Sequence, residues 1–75
     1  MTITIRNASY INLKSNQVLS TTNNGATILG LLTEYKVEES VIRTVTFLVN
    51  GIPAKYHDIL KDGDEVVVIP VIVGG

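Results

Sequence analysis

The apolar residues of this chain change their spacing twice, and this change limits the fold more than any other feature. Thr2–Arg6 alternates polar and apolar residues, which is the two-residue period of a strand with one solvated face. The apolar positions within residues 28–35 instead follow the spacing of one helix face. Alternation returns at Val45–Val49. We therefore predict strands on both sides of one main helix.

Composition decides how such a fold can be stabilised and what it can bind. The chain contains no cysteine, so disulfides and thiolate metal sites are excluded, and its 45% hydrophobic residues must supply the core. A net charge of −1 argues against a nucleic-acid partner, which normally requires a basic patch. No segment has the length of a membrane span, and the N-terminus lacks a signal-peptide core. We expect a cytoplasmic protein without nucleic-acid or membrane partners.

Polar segments and turn residues divide the first half of the chain. Residues 14–17 are predicted to form a turn, and residues 18–22, which are rich in β-branched side chains, a second strand. Thr27 is predicted to cap the helix, because its hydroxyl can accept a free backbone N–H. The helix is expected to end near Lys36, and residues 38–40 to form a polar link.

The second half contains the stronger turn signals. Asn50-Gly51 favours a type I′ hairpin, and its return strand Ile52–Ala54 contains a proline that restricts it to a sheet edge. Residues 60–64 are predicted to form a turn before the last strand at residues 65–69. The element order indicates an α+β fold, with a mixed sheet of four or five strands and one main helix packed on one face.

The last predicted strand is apolar on both of its faces. Counted back from the preceding turn, Val66 and Val68 face the helix, while Val67 and Ile69 face outward. One helix cannot cover both faces. Val67 and Ile69 are either scattered exposed aliphatic residues, which are common, or a partner-docking surface that also includes Pro53 on the neighbouring edge.

The sequence ends in a segment that is suited to chemistry at a carboxylate. Pro70 cannot donate to a sheet ladder, so it is expected to end the strand and release residues 71–75 as a flexible tail. Gly74 has no side chain, so with Val73 beside it the tail can thread a narrow channel and leave the Gly75 carboxylate open. That carboxylate is ionised at neutral pH. It can attack the α-phosphorus of ATP, and the acyl-adenylate can then react with sulfide, persulfide or an amine.

Three stretches carry a resemblance to a known family. Val49-Asn50-Gly51, the turn and strand start at residues 60–66, and the ending at residues 70–75 together resemble the β-grasp sulfur carriers. These carriers include the small subunit of molybdopterin synthase and the sulfur carrier of thiazole biosynthesis. The resemblance implies a ubiquitin-like β-grasp domain at residues 1–70. Pro70 and the long segment at residues 7–17 favour the molybdopterin type, whose chains typically end Pro-Pro-Val-Ala-Gly-Gly.

The resemblance also implies a reaction cycle in which the protein is a substrate and not an enzyme. A ubiquitin-activating-type enzyme would adenylate Gly75 with MgATP, and a sulfurtransferase or cysteine desulfurase would supply sulfur for a thiocarboxylate. The large subunit of a synthase would accept that sulfur during cofactor biosynthesis. The carrier itself would bind no cofactor.

Two alternative functions share the same fold. The first is a ubiquitin-like protein modifier, which is conjugated through Gly75 to lysines of other proteins. The second is a non-catalytic β-grasp interaction module with an inert C-terminus. No residue is predicted to be catalytic or to bind a metal, since His57 has no acid or nucleophile paired with it in the sequence. Asp62 and Asp64 lack the ligand spacing of a calcium loop and suit a turn instead.

Overall fold

The computed structural model describes residues 1–70, which form one mixed sheet with helices. Its five strands lie in the order β2-β1-β5-β3-β4. The central strands β1 and β5 are parallel, and the other neighbouring pairs are antiparallel. This confirms the predicted mixed sheet. The elements are β1 (Thr2–Arg6), a 3₁₀ helix (Ala8–Ile11), β2 (Asn16–Ser20), α1 (Ile28–Glu34), α2 (Glu39–Ile42), β3 (Val45–Val49), β4 (Ile52–Ala54) and β5 (Glu65–Pro70).

Helix α1 begins as the sequence predicts. The Thr27 side-chain oxygen accepts a hydrogen bond from the Gly30 N–H at 3.0 Å, so Thr27 is the N-cap. The same hydroxyl favours glycine at position 30, because a Cβ there would lie only 3.3 Å from the Thr27 oxygen. Gly30 costs the helix roughly 1 kcal/mol relative to Ala, and it leaves room for the cap.

The end of α1 is a Schellman motif built without glycine. The helix stops at Glu34, and Lys36 adopts a left-handed conformation with φ of 68°. The N–H groups of Lys36 and Val37 donate to the carbonyls of Thr33 and Leu32 at 3.0 and 3.1 Å. These two bonds satisfy carbonyls that the helix end would otherwise leave free. Val37 is buried next to them, as the motif favours.

The core lies between α1 and one face of the sheet. Residues from β1, β3 and β5 contribute alternate side chains to it, and α1 contributes its predicted apolar face. The 3₁₀ helix and α2 close its two ends with Ile11 and Ile42, which are both fully buried. The buried cluster comprises Ile3, Ile5, Ala8, Ile11, Leu19, Ile28, Leu31, Leu32, Val37, Ile42, Phe47, Leu60, Val66 and Val68.

Two of the predicted polar segments are wrong. Asn16 and Gln17 were assigned to a turn, but they are the first residues of β2 and pair with Arg6 and Ile5. The predicted end of this strand is also wrong: β2 ends at Ser20 and not at residue 22. The predicted polar link at residues 38–40 is the start of α2, a short helix that anchors its apolar side in the core. In both segments tertiary pairing and burial outweigh the local preference of polar residues for turns.

The hairpin prediction is confirmed. Asn50 and Gly51 have φ values of 52° and 82°, as both central residues of a type I′ turn require. Strand β4 lies at the sheet edge, which is where its proline was expected.

Strand β5 continues one residue further than predicted. Pro70 pairs with Val45 of β3 and belongs to the strand, whereas the sequence placed the end of the strand at Ile69. The flexible tail predicted at residues 71–75 lies outside the described residues.

Candidate partner-docking surface

The outer face of the sheet, opposite to α1, carries the predicted docking residues of β5. Val66 and Val68 are buried, and the alternate residues Val67 and Ile69 are half-buried. Neither Val67 nor Ile69 packs against the core cluster. The predicted strand phase is therefore confirmed, and β5 presents two aliphatic side chains at the middle of the outer face.

Strand register aligns these side chains with residues on β3 and β4. Leu48 lies opposite Val67, and Pro53 lies opposite Leu48, so the three residues form one row across three strands. Ile69 lies in the next row, opposite the polar Thr46. We call Leu48, Pro53, Val67 and Ile69 the outer apolar patch.

Leu48 was missed by sequence reasoning although the signal was present. A two-residue hairpin at Asn50-Gly51 pairs position 49 with position 52, and therefore position 48 with position 53. Alternation then places Leu48 on the same face as Pro53. The predicted surface included Pro53 of the hairpin but not Leu48, the residue of β3 that pairs with it.

Pro53 also protects the edge of the sheet. The Asn50 N–H donates to the Glu65 carbonyl at 2.8 Å, so alternate residues of β3, including Leu48, direct their N–H groups toward β5. The Leu48–Pro53 pair is consequently of the non-hydrogen-bonded type, and the Pro53 nitrogen faces the free edge. A further strand would find no N–H donor there.

Charged residues border the patch on the β1 side. Arg6 lies beside Val67 in the parallel register, and its Nε donates to Glu65 Oε2 at 2.9 Å. Both side chains are about half exposed, at 54% and 44%. Such a pair contributes at most about 1 kcal/mol to folding. It gives the outer apolar patch the polar rim that protein interfaces commonly have.

The turn before β5 uses its carboxylates to hold the backbone. Asp64 accepts hydrogen bonds from the Asn50 side-chain amide at 2.9 Å and from the Lys61 N–H at 2.8 Å. Asp62 accepts from the Thr2 N–H at 2.7 Å, and Gly63 has a φ of 86°. The predicted turn is confirmed, and these contacts fix the start of β5 against β1 and the hairpin.

Within residues 1–70, no cluster of His, Asp or Glu side chains is placed to hold a metal ion. His57 lies exposed in the loop after β4, with its ring edge-on to Tyr56 at 5.3 Å between centroids. Among the same residues, no helix is long and apolar enough to cross a bilayer.

Pro70 is the last described residue, and it lies directly opposite Val45 of β3. The remaining predicted site residues, which are Val73, Gly74 and Gly75, lie beyond this point and outside the described residues. The sheet thus brings the docking residues together on one face, with Pro70 at the end of the strand that carries two of them.

The comparison with family models decides the assignment. The model of the ThiS family matches residues 6–75, which is nearly the whole chain. This protein belongs to the ThiS family. Membership supports a ubiquitin-like sulfur carrier, a class of small proteins that are generally not catalysts and that interact with adenylating enzymes and synthases.

The solved structures agree with this assignment of fold. SAMP1 from Haloferax volcanii superimposes on this ThiS family protein with a TM-score of 0.68 and 18% sequence identity. The match covers 100% of both chains. It shows that residues 1–70 adopt the β-grasp fold. No curated protein matched the sequence.

Proposed function

We propose that this protein carries sulfur as a thiocarboxylate on Gly75 for the biosynthesis of a cofactor, with molybdopterin favoured over the thiamine thiazole. The observation that supports the carrier function is the ThiS family match, which extends through Gly74 and Gly75. The preference for molybdopterin rests on Pro70 and the long segment at residues 7–17.

The proposed chemistry has two displacement steps. A Gly75 carboxylate oxygen attacks the α-phosphorus of ATP on an activating enzyme, and pyrophosphate leaves. Sulfide then attacks the acyl carbon of the adenylate, a C–S bond forms, and AMP leaves. In this proposal the activating enzyme holds the MgATP, and the carrier binds no cofactor.

The outer apolar patch is proposed to dock the partner enzymes. Its four side chains lie on one face, outside the core cluster and next to a charged rim. Contiguous apolar surface of this kind often marks a protein interface. The adenylating enzyme, a sulfurtransferase or cysteine desulfurase, and the large subunit of the synthase would each meet the carrier from this side.

Intact mass spectrometry tests the proposal. The protein is incubated with the adenylating enzyme of the same genome, MgATP and a sulfide source. The carrier function predicts one product, whose mass gain corresponds to the replacement of one oxygen atom by sulfur. A ladder of higher-mass conjugates would instead indicate a protein modifier, and an unchanged mass would indicate an interaction module.

A further inference from the structure

A second surface lies on the helix side of the sheet, between β4 and the end of α2. Val45 and Ala54 form part of the floor of a groove, and its rim carries Arg43, Lys55 and His57. The three rim residues are exposed, whereas the floor residues are half-buried. The groove shares no residue with the outer apolar patch: Val45 and Ala54 face the helix side of the sheet, and Thr46, opposite Ile69, is the lining residue nearest to the patch.

The groove concentrates positive charge on a chain whose net charge is −1. Two cationic side chains and the sole histidine line it, and no carboxylate does. Arg43 pairs with Glu39 at 2.8 Å, outside the lining. Within residues 1–70, no ion pair involves the Lys55 ammonium. Asp58, whose Oδ2 accepts from the Lys55 N–H at 2.9 Å, also lies outside the lining. The charged side chains of the lining itself are cationic, and such a lining favours a partner of the opposite sign.

An aromatic contact holds part of this rim in place. The Arg43 guanidinium lies over the Tyr56 ring at 5.6 Å from the centroid, and His57 meets the same ring edge-on. The cation–π contact links the end of α2 to the loop after β4. These contacts hold Arg43 and His57 against one tyrosine ring, and Lys55 lies next to that ring in the chain.

The groove lies next to Pro70, the last described residue. Val45, one of its floor residues, is the register partner of Pro70. Residues 70 and 45 have the same strand phase, so both face the groove side. An enzyme that contacts Pro70 would adjoin the groove, because Pro70 pairs with Val45 of the lining.

We infer that the groove docks an acidic, carboxylate-rich segment of the adenylating enzyme, beside the channel that receives the tail. The inference rests on the proposed function and names a second contact for the same partner. The outer apolar patch supplies buried area, whereas the groove increases the association rate and fixes the orientation of the tail.

The test is Lys55→Glu against the matched control Lys14→Glu, since Lys14 is an exposed lysine that does not line the groove. Adenylation is followed by ATP–pyrophosphate exchange as a function of carrier concentration. Lys55→Glu should raise KM about tenfold with kcat nearly unchanged, and the KM should depend less on salt than that of the wild type. Lys14→Glu should leave KM within about twofold of the wild type.

A second variant, Lys55→Gln, separates loss of the charge from disruption of the loop. The Lys55 N–H donates to Asp58 Oδ2 at 2.9 Å, so a glutamate at position 55 would place a second negative charge near that carboxylate, whereas a glutamine would not. Lys55→Gln should raise KM by an intermediate factor. Equal effects of both glutamate variants, or a normal KM for both Lys55 variants, would overturn the inference. So would amide shifts at Lys55 and His57 induced by ATP alone, which would mark a nucleotide site. A wild-type carrier that is never adenylated would instead refute the proposed function.

Discussion

Leu48 lies directly opposite Val67 in the register of β3 and β5, and both side chains point away from α1. Pro53 extends the same row onto β4. The result is an apolar stripe across three strands of a sheet whose other face already holds the core. Neither Leu48 nor Val67 packs against that core, and the proposed docking function would give these aliphatic side chains a partner to contact.

Adjacent residues of β5 allow docking and folding to be separated. Ile69→Asp and Val67→Asp should leave the thermal melting curve nearly unchanged and weaken binding to the adenylating enzyme by about 2 kcal/mol if either residue is a hot spot. Val68→Asp is the matched control, since Val68 is fully buried. It should destabilise the domain by several kcal/mol, because a buried carboxylate lacks solvation.

The measurements are thermal unfolding and isothermal titration of each variant with the enzyme. If Ile69→Asp unfolds the domain as Val68→Asp does, the outer face is part of the core and the docking assignment is wrong.

Gly30 and the Thr27 cap should be energetically coupled. Gly30→Ala gains helix propensity worth about 1 kcal/mol, but the added Cβ would lie 3.3 Å from the capping oxygen. In the Thr27→Ala background that contact is removed. We therefore expect Gly30→Ala to stabilise the domain more in this background than in the wild type, as a double-mutant cycle of urea unfolding would show. Strict additivity would mean that the cap does not restrict position 30.

Local sequence signals were sufficient to predict most of the fold. The alternation of Val45–Val49, the Asn50-Gly51 turn and the Thr27 cap each act locally, so they can be recognised without tertiary information. The phase of β5, and with it the outward position of Val67, followed from counting back from one turn.

The errors arose where long-range contacts decide the structure. The polar start of β2 forms a strand because it pairs with β1, and α2 forms because Ile42 enters the core. The end of α1, by contrast, lies near Lys36 as predicted, although a lysine there adopts the left-handed conformation for which glycine is the usual signal. The groove at Lys55 lies within residues 43–57, but it depends on how the end of α2 and the loop after β4 fold against β3, which residue spacing alone does not show.

The proposed passage of the tail through a narrow channel predicts a steric effect at the penultimate residue. Gly74→Val should slow adenylation strongly, because its β-branched side chain would have to enter a channel suited to glycine. The melting temperature should not change, because the buried core cluster lies within residues 1–70. Single-turnover adenylation assays and thermal melts measure the two effects. Normal adenylation of this variant would show that the channel is not narrow at this residue.

Extension of the chain tests the position of the carboxylate itself. One residue added after Gly75 displaces the carboxylate by about 3.5 Å, so activation should be lost while the fold is retained. If the extended protein is adenylated at the normal rate, the position of the carboxylate relative to the domain does not limit activation.

Deletion of Gly75 tests the central claim most directly. The shortened protein and the wild type are each incubated with the adenylating enzyme, MgATP and sulfide, and their intact masses and melting temperatures are compared. We predict that the wild type gains the mass of an oxygen-to-sulfur exchange, and that the deletion variant gains none and melts at nearly the same temperature. If the deletion variant acquires sulfur at the wild-type rate, Gly75 is not the site of activation and the sulfur-carrier account is contradicted.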